Sequence, residues 1–191
     1  MITITEKKLT VEEFLNLPET DITYELVNGG LITKMSPKRF HSRLAVAFCI
    51  LLESWSKNKG EVGIKWAITL KKNNEDWVPV PDLLYISYNR LPLDRFEDEA
   101  CPFIPELVIE IISPGQSFGD LSEKATDYLK AGIDRVWIVD SKAKSITIFY
   151  PDSPPQTKRN QDSLKDAILP DLDITVEQVF MQAGIIVNGS L

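Results

Sequence analysis

Leu107-Val-Ile-Glu-Ile-Ile112 is an apolar run broken by a single acid, Glu110. A short run that is apolar throughout suits a strand covered on both faces, in the middle of a sheet. Such a strand belongs to a layered fold with helices packed on the sheet. Within it an ionised carboxylate costs several kcal/mol unless it is paired, protonated or bound to a cation. Glu110 thus marks either a strand edge turned to solvent or a cation-binding position. Fully buried glutamates without a partner are rare, which favours the second.

The rest of the chain supplies the layers. Thr10-Val-Glu-Glu13 fits a capping box and predicts a short helix ending near Pro18. Asn28-Gly29-Gly30 between Tyr24–Val27 and Leu31–Met35 predicts a hairpin. Ser36-Pro37 reads as a helix start, and Leu44, Phe48, Leu51, Leu52 and Trp55 recur at helical spacing as far as Lys57. Gly60 and Gly63 read as its close. Strands are expected at Ile64–Leu70, Pro81–Tyr88, Leu107–Ile112, Arg135–Val139 and Ser145–Tyr150. A helix is expected from Gly119-Asp120 to Ala131, stopped by Gly132, and a last one over Ile174–Gln182. Residues 89–105 and 151–166 read as exposed loops. The expectation is one α/β (α+β) domain over residues 1–191, a central mixed sheet flanked by helices. Its core spans about 37–140, with an N-terminal helix and hairpin at 10–35 and an extension at 141–191.

Composition narrows the function. Hydrophobic residues make up 43% of the 191 and charged residues 26%, a globular balance. The net charge of −7 counts against a protein that coats nucleic acid through a basic surface. It does not exclude a nuclease, whose acidic site is neutralised by bound cations. Cys49 and Cys101 give neither a metal-site spacing nor a disulfide framework. The opening residues lack the apolar stretch of a leader, and no apolar run is long enough to span a bilayer. A cytoplasmic protein is expected.

Asp82 follows Pro81 at the start of the strand Leu-Leu-Tyr-Ile. Alone it reads as a turn residue. Paired with Glu110 on a neighbouring strand it offers two carboxylates to a hard divalent cation such as Mg²⁺ (or Mn²⁺). Lys124, on the helix after the Glu110 strand, shares a face with Tyr128 four residues on and is the candidate cation of such a site. A solvated lysine is the plain alternative. Glu25 and His41 are accessory candidates, with ordinary surface or helix roles as the plainer reading. One histidine excludes a multi-histidine zinc site. No Walker-type loop, Gly-x-Gly-x-x-Gly, His-Glu-x-x-His or Gly-x-Ser-x-Gly is present.

Taken in order, Tyr24-Glu-Leu-Val-Asn-Gly29, His41, Pro81-Asp82, Pro105-Glu-Leu-Val-Ile-Glu110-Ile-Ile-Ser-Pro114, Asp120, Lys124, Tyr128, Gly132 and Val136-Trp-Ile-Val-Asp140 resemble the Uma-two family. That family consists of endonucleases of the PD-(D/E)XK superfamily. The resemblance runs from about Thr10 to Phe180 and implies a restriction-endonuclease-like core. It implies Asp82 and Glu110 as metal-binding acids, the Ile111 carbonyl as a further ligand and DNA as substrate. A homodimer is expected because two-strand cleavage is often done by symmetric pairs. Two positions depart from the pattern. The lysine expected two residues after the acid is Ile112, and Val80 stands where a basic residue often precedes Pro-Asp. Lys124 is the implied substitute for the missing lysine. The alternative function is a non-catalytic or regulatory member that binds metal, nucleic acid or a protein partner, and a third reading is hydrolysis of another phosphoester.

Overall fold

Two sheets of unequal size organise the chain, and the computed structural model describes residues 8–18, 20, 22–34, 36–95 and 97–186. Helix α1 (Val11–Leu15) opens with the reciprocal capping box of Thr10 and Glu13. Strands β1 (Tyr24–Val27) and β2 (Gly30–Thr33) pair antiparallel about Asn28-Gly29. Both turn residues take positive φ, 50° and 77°, as a two-residue turn matched to strand twist requires. Met35, the expected end of this hairpin, lies outside the described residues, as do residues 1–7.

Helix α2 (Arg39–Ser56) buries Leu44, Phe48 and Leu52, the predicted stripe. Its start differs from expectation. Ser36 and Pro37 precede the helix, Lys38 is the N-cap, and no side chain caps the first turn.

The expected strand over Ile64–Leu70 is a correction. Strand β3 runs Gly60–Ile64, the chain turns at Lys65 (φ 54°), and β4 begins at Leu70. The glycines read as terminators lie inside β3 because nothing larger fits. A Cβ on Gly60 would stand 2.3 Å from the Ile86 carbonyl, and one on Gly63 would stand 2.7 Å from the Trp66 ring. β4 (Leu70–Lys72) and β5 (Glu75–Val78) form a second hairpin about Asn73-Asn74, both at positive φ.

Next come β6 (Leu83–Ser87), β7 (Leu107–Ile111), helix α3 (Phe118–Lys130), β8 (Arg135–Asp140) and β9 (Ser145–Phe149). They are followed by β10 (Gln156–Arg159), inside the stretch read as a loop, and helix α4 (Val176–Gln182). The larger sheet has the order β10-β9-β8-β7-β6-β3 and the smaller β2-β1-β5-β4. Only β7–β8 is parallel in the larger sheet, joined through α3; the rest is antiparallel. The result is the expected mixed sheet flanked by helices.

Alternate residues of the larger sheet face two cores. Leu83, Leu107, Ile109, Trp137 and Val139 pack with α2 and α4. Leu84, Val108, Val136 and Ile138 pack with α3 and with Trp77 of the smaller sheet. Glu110 takes the place in β7 that Val108 takes two residues earlier, on the α3 side. The β6–β7 register pairs Leu83 with Ile109, so its continuation sets Asp82 opposite Glu110.

Candidate functional site: an acidic pair threaded with lysines

Five segments meet where β7 ends. Asp82 and Glu110 are buried, with 2% and 3% of their surface exposed. Asp82 Oδ2 is held from two sides, by His41 Nε2 at 2.9 Å and the Ile111 N–H at 2.8 Å. Its Oδ1 faces Lys65 Nζ at 2.7 Å and Lys34 Nζ at 3.3 Å. Tyr128, from α3, donates its hydroxyl to Glu110 Oε1 at 2.9 Å, and Lys124 reaches the same oxygen at 2.9 Å. Glu110 Oε2 faces Lys34 Nζ at 3.4 Å. Glu25, from β1, accepts from the Val80 N–H and from Lys124 at 2.7 and 3.0 Å.

The carboxylates Asp82, Glu110 and Glu25 are thus balanced by the ammonium groups of Lys34, Lys65 and Lys124. Burial alone would raise the Asp82 pKa. The hydrogen bond from His41 and the charges of Lys34, His41 and Lys65 outweigh it and hold the carboxyl well below its usual range. In Glu25 burial is likewise outweighed by Lys124 and Lys34, and its pKa is lowered. Burial would lower Lys34 and Lys124, but the facing carboxylates keep both ammonium groups charged above the usual lysine range. Tyr128 is pushed well up by burial and then by Glu110, so it stays a hydroxyl donor.

All the residues singled out in the sequence come together here. Lys124 is no solvated lysine, and neither Glu25 nor His41 has the surface role that the plainer reading gave it. Ile111 enters through its N–H. Sequence reading missed Lys34, just past β2, and Lys65, at the left-handed turn after β3. Neither sits in a pattern that separates it from a solvated lysine. Lys34 is placed by the hairpin, where its N–H bonds the Thr23 carbonyl beside Glu25.

The donor set suits a hard cation. Carboxylate oxygens are what Mg²⁺ selects, and it is held by one or two of them with several waters retained. Among the described residues no group of three or more His, Cys, Asp or Glu side chains is gathered to hold a metal. The fit therefore rests on the pair Asp82 and Glu110. The oxygens of that pair not fixed by hydroxyl, imidazole or backbone donors, Asp82 Oδ1 and Glu110 Oε2, are the two that Lys34 bridges. Its ammonium lies between these two oxygens and donates to the Val80 carbonyl at 2.6 Å.

A crystal structure from Anabaena variabilis ATCC 29413, described as a putative nuclease belonging to DUF820, superposes with a TM-score of 0.77 at 24% identity. The match covers 92% of this chain and 99% of that one, and shows a shared fold. No curated protein sequence matches the chain. The family model of Uma2, described as "Putative restriction endonuclease", matches residues 11–177. That span takes in every residue of the acidic centre, and the chain belongs to the Uma2 family.

Proposed function

We propose that this protein is a metal-dependent endonuclease that hydrolyses phosphodiester bonds of DNA, with Asp82 and Glu110 holding Mg²⁺ (or Mn²⁺). The observation that carries the reading is the orientation of that pair. One oxygen of each carboxylate is locked by His41, the Ile111 N–H or Tyr128, and the other is turned toward a shared cation position. A bound divalent cation supplies Lewis-acid polarisation of a phosphoryl oxygen and a water of lowered pKa.

The chain's own residues do the rest. His41 and the Ile111 N–H fix Asp82 as a carboxylate. Tyr128 fixes Glu110. Lys124, held between Glu25 and Glu110, brings a fixed positive charge to the edge of the pair, where charge grows on a phosphate under attack. It takes the part that Ile112 cannot. The Ile111 carbonyl is assigned as a further ligand. For Asp82 Oδ1 and Glu110 Oε2 to hold a divalent cation together, the Lys34 ammonium, which also donates to the Val80 carbonyl at 2.6 Å, would have to give up its contacts with both. At about 4 Å two unit charges interact by about 4 kcal/mol near a protein surface, so the exchange of one cation for another is the site's main electrostatic event.

The working unit is the whole chain as one domain, since the 10–35 segment brings Glu25 and Lys34 to the core acids. Two-strand cleavage is assigned to a homodimer, and the protein to the cytoplasm. No helix among the described residues is long and apolar enough to cross a membrane.

The second reading, a non-catalytic member of the fold, is favoured by the internal neutralisation of the acids. Plasmid nicking separates the two. Wild type should nick with Mg²⁺ or Mn²⁺ and stop with EDTA, and Glu110→Gln should lose at least about a hundredfold in rate, the scale of removing a group that acts in the transition state. Metal-independent nicking, or a fully active Glu110→Gln, would refute the first reading.

A further inference from the structure

A cleft of about 460 Å³ opens beside the acidic centre. That is within the roughly 300–1,000 Å³ of small-ligand sites. Its walls are the first turn of α2, the connection from β7 to α3 and the β8–β9 turn. His41 joins it to the centre, because the residue is part of the cleft's lining while its Nε2 bonds Asp82. The other ring nitrogen, Nδ1, is buried and has no hydrogen-bond partner among the described residues. Leaving a buried polar atom in that state costs about 1–3 kcal/mol, so a ligand group that reached it would gain.

The chemistry of the walls specifies the occupant. Lys38, Arg39 and Lys142 are exposed along the cleft, and none has an ion-pair partner among the described residues. The first turn of α2 has no side-chain cap and no acid, so its N–H groups and its dipole face the cleft unopposed. Asp140 is the one acid of the lining, and its Oδ1 is taken up by the N–H groups of Lys142 and Ala143. Beside these cations stand two aromatic rings, Phe40 and Phe118, 50% and 45% exposed. Phe118 is backed by Phe149, with ring centroids 6.4 Å apart. Anion-binding groups beside open aromatic faces suit a ligand with a phosphate and a flat apolar part. In a continuous duplex the base faces are already stacked on one another; only an unpaired nucleotide offers one.

We propose that the cleft seats one unpaired nucleotide of a nucleic-acid strand. Its base lies against Phe40 and Phe118, and its phosphate lies at the start of α2 with Arg39 and Lys142. The inference rests on the nuclease reading in one respect: the strand seated here leads past His41 to Asp82 and Glu110. The substrate it assigns to the centre is a strand that is single or locally unpaired.

Fluorescence anisotropy of the full chain with a labelled single-stranded oligodeoxynucleotide and a blunt duplex, in EDTA across a salt series, tests this. The single strand should bind more tightly. Phe40→Ala and Phe118→Ala should each weaken it at least about fivefold with the salt slope unchanged. Arg39→Ala should lower that slope by about 0.7, one phosphate contact. Lys165→Ala, exposed and outside the cleft's lining, should bind as wild type. Equal affinity for the duplex, aromatic variants that bind normally with unchanged melting curves, or no binding of either strand would overturn the proposal. Metal-dependent cleavage of the same single strand, run beside plasmid nicking, keeps the two claims apart. Cleavage with binding indifferent to the aromatic rings removes the cleft assignment alone. Aromatic-dependent strand binding with neither the single strand nor the plasmid cut removes the nuclease reading alone.

Discussion

At the residue scale, the centre is defined by the balance between carboxylates and ammonium groups. Lys34 is the decisive side chain, since among the described residues it alone touches Asp82, Glu110 and Glu25. Replacing it with methionine removes the competitor for the cation position, and calorimetric Mn²⁺ affinity should rise by on the order of tenfold. A fall in affinity would mean that Lys34 supports the metal site. The pKa shifts set a pH dependence of the opposite kind for acids and bases. Asp82 and Glu25 are depressed, so their contribution to stability is present above the ordinary carboxylate range, around pH 4, and is lost as pH falls through their folded values. Lys34 and Lys124 are raised, so theirs is present up to about pH 10 and is lost only above it. The urea midpoint should therefore decline from about pH 5 downward, and less steeply in Lys34→Met, where Asp82 has lost one of its stabilising charges. A midpoint flat over that range would contradict the assignment. Glu110 was legible in the sequence because an acid in an apolar strand is conspicuous. Lys34 and Lys65 were not, because a lysine at a strand end looks the same whether it reaches water or a buried acid.

At the element scale, the site depends on where two strands end. Asp82 stands just before β6 and Glu110 near the end of β7, so their meeting is a matter of register. β3 guards that register from the far side of β6, where Gly60 and Gly63 pass close to β6 and Trp66. Gly60→Ala should destabilise the fold by about 2 kcal/mol or more, since its Cβ meets the backbone of Ile86 and cannot be relieved by a rotamer change. Thermal denaturation checks this, and a variant as stable as wild type would show that β3 can shift freely. The helices and the Asn-Gly hairpin were readable from capping boxes, spacing and turn chemistry. The β3–β5 region was not. The alternation of Trp66, Ile68 and Leu70 mimics one strand, whereas the left-handed residues Lys65, Asn73 and Asn74 fold it into a turn and a hairpin. Left-handed asparagines carry a recognisable turn signal; a left-handed lysine carries none. The start of α2 was misplaced for a related reason. Ser36-Pro37 has the composition of a helix start, yet the helix begins two residues later with nothing capping it.

At the scale of the whole molecule, an acidic protein of net charge −7 must approach a polyanion through a small cationic area. The cleft at the start of α2 is such an area. With Arg39 and Lys142 as the contacts, the log–log salt slope for a single strand should be shallow, near about −1.4. A much steeper slope would point to a larger basic surface elsewhere. The fold class was readable from the order of helices and strands, and the family from motifs spread over most of the chain. The way the N-terminal hairpin closes over the end of β7, carrying Glu25 and Lys34, is a long-range contact with no local signature. The proposed activity stands on Asp82 and Glu110 holding a catalytic divalent cation. Calorimetry of Mg²⁺ and Mn²⁺ binding to wild type, Asp82→Ala and Glu110→Ala, with nicking run on the same preparations, tests it most directly. Wild type should bind, each substitution should abolish binding, and nicking should be lost in step. Binding that survives both substitutions, or no binding by a folded wild type, would contradict it.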